Sequence, residues 1–349
     1  MSELLAEVAG EASSAEQLWA YVQKWRAEKA KPYSPPASAD RSEVQHGDLS
    51  SRTPVPDWLT VSAEQRIRIC AASREFIRKF PADPRGWDAR ILILEDYAWG
   101  ATSPEEYRAL CEQIIAAPDA AAATRERASE FLVIQFQGKL WNNPEEAEKV
   151  FSAYEKDYPD GKFGEVLVRY RLRYYSQKKP EEVVPLLRQL VGSPNKKTAA
   201  AAERELALRT KPLDFKFTAT NGRTVDLAKL RGKVVMLYFW ATWGEPTRNI
   251  LPKVLALRHK YGAGEFQVIG IALDDERSDM RRAIKTHKMD WPNVNDTLPG
   301  QGSSPIALRF GDASPQTVWL LDREGVAKEL LPGADLDSEV RKRLEKLEP

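Results

Sequence analysis

The stretch Lys233–Pro252, KVVMLYFWATWGEPTRNILP, gathers chemistry-bearing residue types where a strand gives way to a helix. Val234 to Trp240 is a continuous apolar run rich in β-branched and aromatic residues, the pattern of a strand buried on both faces. A tight turn is expected at Gly244-Glu245-Pro246. After it, Ile250, Leu251, Val254, Leu255 and Leu257 recur at helical spacing across Arg248 to Tyr261. Such a junction offers unpaired N–H groups and a positive dipole end, so many folds place chemistry there. The other candidates are few. There are two cysteines, Cys70 and Cys111; three histidines, His46, His259 and His287, without ligand-like spacing; and one run of acids, Asp274-Asp275-Glu276. The acids read as the start of a helix, where the dipole favours them, rather than as metal ligands. No metal or cofactor is assigned.

The segment FWATW-x-x-P-x-R-x-x-x-P resembles the active-site segment of the thioredoxin fold in its TlpA/ResA-like redoxin branch, whose pattern is W-C-x-x-C, often with Pro before the second Cys. Trp243 and Pro246 match, while the two cysteine positions hold Gly244 and Thr247. The resemblance extends over residues 211 to 349. It includes a hairpin and short helical turn ahead of the central strand, an acidic stretch followed by a helix and Trp291-Pro292, and Ala313 to Asp322, similar to the strand that carries the family's cis-proline. It implies that Pro315 packs beside the active-site turn and that Ser314 pairs with an extended substrate backbone. Pro315 is either part of that groove or present for the fold alone. The family often carries an acid three positions after the second Cys; Ile250 stands there.

Thiol–disulfide exchange needs a thiolate nucleophile, which neither glycine nor threonine supplies. No cysteine follows Cys111, so a peroxiredoxin's peroxidatic thiol has no counterpart either. The expectation is therefore a redox-inactive thioredoxin-like protein, a protein- or peptide-binding or scaffolding pseudoenzyme. Its groove is expected to comprise Trp240, Trp243, Glu245, Pro246, Ser314 and Pro315 along with Gly244 and Thr247. The alternative is a thiol-disulfide oxidoreductase or peroxiredoxin-like enzyme using Cys70 and Cys111 or a partner's thiols. Both cysteines read as small buried hydrophobes, and neither combines an adjacent basic residue with a helix N-terminus. Thr247 as the nucleophile of a hydrolase or transferase lacks a nearby His or Lys base.

At 349 residues the chain has room for two domains. Its 52 basic and 51 acidic residues give no footprint for nucleic acid or an acidic membrane surface. No apolar run approaches the roughly 18 residues of a membrane span. The opening MSELLAEVAGEASSAEQ lacks a basic and apolar leader pattern. The resemblance implies an extracytoplasmic (periplasmic) protein; the sequence is equally compatible with the cytoplasm. The partner is an unspecified protein or peptide.

Elements must position these residues. Residues 1–12 look frayed. Ser14-Ala15-Glu16-Gln17 is a capping box that starts a helix with Leu18, Val22 and Trp25 on one face. Residues 32–60, with five prolines, read as a linker. From Ser62 a repeat appears. Helix starts at Ser62-Ala63-Glu64-Gln65, Ser103-Pro104-Glu105-Glu106, Asn143-Pro144-Glu145-Glu146 and Lys179-Pro180-Glu181-Glu182 alternate with Pro81, Pro118, Pro159 and Pro194. Helix pairs at a period of about 34 to 47 residues are the signature of a TPR-like or HEAT-like solenoid. Trp87, Tyr97, Trp99, Tyr154 and Tyr170 are expected in its core. The fold class expected is thus two-domain: an N-terminal helix and linker (1–61), an all-α solenoid (62–210), and an α/β thioredoxin-like domain (211–349). In the last, Asn221-Gly222 turns a hairpin, Phe266 to Leu273 is a second buried strand, Ser303 to Phe310 a short helix, Val326 to Leu331 the last strand, and Leu336 to Leu347 the closing helix.

Overall fold

A computed structural model describes residues 14–27, 63–95, 103–297, 304–310, 313–330 and 333–345. The frayed start, the proline-rich linker, Ser62, Tyr97, Trp99 and His46 lie outside the described residues. The chain divides into two compact units, one running to Gly164 and taking in Pro194–Lys196, the other holding Glu165–Ser193 and Lys197 onward.

The first unit is helical: α1 Ala15–Ala27, α2 Ala63–Lys79, α3 Gly86–Glu95, α4 Pro104–Ala116, α5 Ala122–Lys139 and α6 Pro144–Asp157. Its helix starts are made by side chains. Ser14 and Gln17 bond reciprocally, each to the other's backbone N–H. Ser103 accepts from Glu106 N at 3.1 Å and Asn143 from Glu146 N at 3.3 Å, with Pro104 and Pro144 next in line. Each capped helix also pairs with an earlier or neighbouring helix. Arg74 of α2 pairs with Glu106, and Arg108 of α4 with Glu146. Apolar faces close the stack. Leu18 and Val22 pack with Ile69, Ala72, Phe76, Ala89 and Leu92. Tyr107 meets Phe131 edge-on at 6.3 Å. Tyr154 is fully buried, as expected, with its hydroxyl accepting from Phe163 N. Trp87 is half-buried, and its indole N–H donates to Asp119.

The second unit opens with α7 Gly164–Lys178, α8 Val183–Leu190 and α9 Lys196–Thr210. At Lys179, where the sequence offers a poor N-cap, Pro180–Glu182 forms a 3-10 turn with no side-chain cap before α8. The α/β part follows. β1 Lys216–Thr218 and β2 Thr224–Asp226 form the expected hairpin, with Phe217 opposite Val225 and Gly222 in the left-handed region at φ 79°. A five-stranded mixed sheet has the order β5-β4-β3-β6-β7. Its strands are β3 Val234–Trp240, β4 Phe266–Ala272, β5 Asn293–Val294, β6 Val318–Leu321 and β7 Ala327–Leu330. β4 runs parallel to β3, and β5 to β4; β6 is antiparallel to β3 and β7 to β6. The helices are α10 Glu245–Glu265, α11 Arg277–Thr286, α12 Pro305–Arg309 and α13 Leu336–Leu344. α10 runs beyond the expected Tyr261 only across Gly262, whose φ of 65° breaks the helical geometry.

All seven residues of β3 are buried. Val235, Leu237 and Phe239 face one core, with Ile269, Ile271, Trp319 and Leu208 of α9. Val234, Met236, Tyr238 and Trp240 face the other, with Leu251, Val254 and Leu257 of α10 and Val340 of α13. Next to Leu208, the Arg209 guanidinium lies 4.8 Å from the Trp319 ring and pairs with Glu205 and Glu329. Burial pushes the Glu329 carboxyl above its ordinary range and Arg209 opposes that shift.

The three parallel helix starts make a direct test. Ser103→Ala and Asn143→Ala are each expected to lower stability by about 1 kcal/mol in urea denaturation. Lys179→Ala, which removes no side-chain cap and only an exposed pair with Glu182, should cost much less than either.

Candidate functional site

β3 ends at Trp240 and the chain turns through Ala241-Thr242-Trp243-Gly244 into α10. Backbone bonds tighten the turn: Gly244 N donates to Ala241 O at 3.2 Å, and Thr247 N to Gly244 O at 3.1 Å. Thr247 is buried, and its hydroxyl is fully used. It accepts from Ala241 N at 3.2 Å and donates to Pro315 O at 3.4 Å. The Tyr238 hydroxyl donates to Thr247 O, and burial pushes that phenol well above its ordinary range. Gly244 is buried against Pro315. A Cβ built on Gly244 would lie 2.9 Å from Pro315 Cβ and 3.3 Å from the Thr247 hydroxyl oxygen. Pro315 thus packs beside the turn, at van der Waals contact only because residue 244 has no side chain.

The other expected site residues are placed differently. Trp240 is fully buried in the α10-side core, where its indole N–H donates to Asn293 Oδ1 at 3.2 Å. Gly270 leaves the room for that pair, since a Cβ there would collide with Asn293 Oδ1. Trp243 is 57% exposed and is the large apolar side chain the turn presents outward. The side chains of Glu245 and Pro246 lie outside the described residues. The Ser314–Pro315 peptide bond is trans, not cis as the resemblance implies. Ser314 O accepts from Gln316 N at 2.7 Å and Thr317 N at 2.9 Å, and Ser314 N donates to the Thr317 hydroxyl at 3.0 Å. A proline that opens a turn takes its ordinary trans geometry there. Both backbone polar groups of Ser314 are spent inside that turn.

Asp274 departs from its expected role. It does not cap α11, whose N-cap is Glu276 with no side-chain bond. Its Oδ1 instead accepts from Thr242 N at 2.8 Å and from the Thr242 hydroxyl, so a buried carboxyl holds the turn after β3. Burial pushes this carboxyl upward, and the Thr242 bonds counter the shift. The adjacency of three acids pointed to capping; nothing local signals a bond across 32 residues.

Cys70 and Cys111 lie in α2 and α4 of the first unit, both buried and both free thiols. Their surroundings differ. Arg74, one helical turn after Cys70, pairs with Glu106, and the Cys70 sulfur acts electrostatically on its guanidinium. Cys111 has the opposite setting: burial, reinforced by the neighbouring Glu112, pushes its thiol up to about 12. The i, i+4 spacing of Cys70 and Arg74 on a helix was the available signal for this interaction. Among the described residues no group of three or more His, Cys, Asp and Glu gathers, and no helix is long and apolar enough to cross a membrane.

A central β3 with parallel β4 and β5 on one side and antiparallel β6 and β7 on the other, helices on both faces and a proline turn against the β3–α10 junction define a thioredoxin-like redoxin domain. Residues 209–326 match the AhpC/TSA family, and the C-terminal region is a domain of that family. Among its relatives is the thiol-disulfide oxidoreductase ResA of Bacillus cereus, 26% identical over 136 residues, 39% of this chain and 76% of the relative. ResA of Bacillus subtilis (strain 168) is 24% identical over 137 residues, 39% of this chain and 73% of the relative. A solved thiol-disulfide oxidoreductase from Bacteroides fragilis NCTC 9343 is 23% identical, covering 37% of this chain and 96% of its own, with a TM-score of 0.34. These relatives correct the expectation of a redox-inactive binding or scaffolding module, because they are named for thiol–disulfide chemistry. That expectation rested on the absence of sulfur at 244 and 247, which speaks for those two positions alone.

The close approach at Gly244 predicts that Gly244→Ala destabilises the protein by about 1–3 kcal/mol. Pro315→Gly, which removes the opposing Cβ, should recover much of that loss. A double-mutant cycle by thermal or urea unfolding checks the coupling.

Proposed function

We propose that this protein carries out thiol–disulfide exchange, as an oxidoreductase of the redoxin class whose C-terminal turn holds no sulfur and whose attacking thiol is Cys70. The Arg74 guanidinium, one helical turn from Cys70 and acting on it electrostatically, carries this reading, since a neighbouring cation is what stabilises a thiolate. The kinship of the C-terminal domain with named thiol-disulfide oxidoreductases supports the reaction class. The organisation that goes with it is a helical-repeat region over 62–210 ahead of a redoxin domain over 211–349, working on a protein or peptide substrate in an oxidising compartment.

In the reaction, the Cys70 thiolate attacks one sulfur of a polypeptide disulfide. The S–S bond breaks, a mixed disulfide forms, and the departing sulfur leaves as a thiolate that takes a proton from water. A dithiol partner then attacks the mixed disulfide, frees the second substrate thiol and leaves as the disulfide. Two electrons pass from the dithiol to the substrate disulfide, and Cys70 returns to its starting state. Cys70 is only 5% exposed, so exchange proceeds from local opening of the helices around it and its rate follows that opening.

Insulin-disulfide reduction with dithiothreitol as the dithiol tests the reading. The native chain and Cys111→Ser are expected to be active, and Cys70→Ser inactive. Activity that survives in the double Cys70→Ser/Cys111→Ser chain would reject Cys70 and leave a partner's thiols as the exchanging groups. Inactivity of the native chain would reject the reaction class for this substrate. Arg74→Met should slow iodoacetamide labelling of Cys70 at neutral pH, read by peptide mass.

A further inference from the structure

The carboxyl ends of the three parallel strands bring polar side chains together. Trp240 of β3 and Ala272 of β4 belong to the α10-side core, and two residues beyond each come Thr242 and Asp274. Beyond β5, whose Val294 faces the opposite core, the chain continues through Asn295 and Thr297. Hydrogen bonds fix this group. Asp274 Oδ1 accepts both Thr242 donors, and Asn295 Nδ2 donates to Asp274 O at 2.8 Å and Ala272 O at 3.3 Å. Three oxygens are left over: Asp274 Oδ2, Asn295 Oδ1 and Thr297 Oγ1 are buried without a hydrogen-bond partner. Asp274 is 2% exposed and Thr297 4% exposed.

Among the described residues the charges acting on Asp274 include no counter-ion. Those acting on it are Asp279 of α11 and Asp275, both negative. From the β3 side it meets the neutral Thr242, and from the β5 side the Asn295 carboxamide. Asp296, the other acid of that segment, turns away to the Ser304 hydroxyl and Ile306 N. An ionised Asp274 would have both its hydrogen bonds on one oxygen and a bare buried charge on the other, which is costly. A carboxyl group has no such deficit, because its O–H can donate to an amide oxygen that lacks a donor.

We propose that Asp274 holds a proton on Oδ2, directed at the Asn295 carboxamide oxygen, and that this proton latches the Ala241–Gly244 turn to the carboxyl end of the sheet. Loss of the proton places a negative charge beside Asp275 and Asp279. The side chain relieves it by rotating outward, and the two Thr242 bonds go with it. Trp243, the next residue and the exposed one, moves with the turn. The sign follows from the raised carboxyl: the folded state binds a proton that the unfolded chain has already released. The latch is therefore closed at low pH, and its contribution to stability is lost as pH rises from the ordinary carboxyl range through the raised value. This device governs the turn and does not depend on which sulfur exchanges.

The test uses the full chain labelled with 5-fluorotryptophan, the Trp243 resonance being the one absent from Trp243→Phe. In the native chain that resonance is expected to shift with a single midpoint above the ordinary aspartate range of about 3.9. Asp274→Asn keeps an oxygen for Thr242 and presents N–H donors to Asn295, so its Trp243 resonance should stay flat. Thr242→Val removes a bond that only the closed, protonated state makes, so its midpoint should move to lower pH. A flat native resonance between about pH 4 and pH 8, or a native midpoint retained in either variant, would overturn the proposal.

Discussion

Everything in the C-terminal domain depends on hiding β3 from water on both faces. Seven consecutive buried residues cannot be covered by one layer, so helices must pack on each side of the sheet. Burial of each large apolar side chain contributes about 1.5–3 kcal/mol, more than a surface ion pair such as Lys196–Asp160, whose class is worth about 0–1 kcal/mol. α10 and α13 cover one face. On the other, Leu208 joins the core and Arg209 lies over Trp319, so the last turn of α9 is part of the domain's covering. The rigidity that results is handed to the end of β3, where the chain leaves the sheet and enters α10.

That end carries no sulfur in this chain. The place is not loosely filled. Thr247 spends its hydroxyl on Ala241 and Pro315, Gly244 lets Pro315 come close, and Asp274 holds Thr242 from below. The thiols lie instead in the helical unit, and the two are unequal. The Arg74 guanidinium acts on Cys70, whereas burial and Glu112 push the Cys111 thiol up. Reactivity at sulfur is decided by neighbours, so the identity of two residues in a turn does not settle the chemistry of a whole chain.

In the helical unit the capped helix starts are tied to other helices by ion pairs. The Pro-Glu-Glu starts do two jobs. Their third residue gives its N–H to a Ser or Asn cap, and its carboxylate to an arginine of an earlier helix, as in Arg74–Glu106 and Arg108–Glu146. Lys179 cannot accept a hydrogen bond, and there the start becomes a 3-10 turn. The caps are legible because capping is local, and the ion pairs are not, because the arginines stand at no fixed offset from the caps.

What the sequence determined by itself was whatever acts over a few residues. The doubly buried β3, the Asn221-Gly222 hairpin and the reciprocal Ser14–Gln17 cap all arise from neighbours within a turn or two, where composition and spacing carry the physics. The domain family was legible for the same reason, through a strand, a turn and a helix in series. Tertiary structure decided the rest. It sank Trp240 into the core, since alternation along a strand does not say which end of a side chain meets water once both faces are covered. It left the Ser314–Pro315 bond trans, because bonds from Gln316, Thr317 and the Thr317 hydroxyl close a turn there. It joined Asp274 to Thr242 across 32 residues, where only the packing of β4 beside β3 brings the carboxyl within reach.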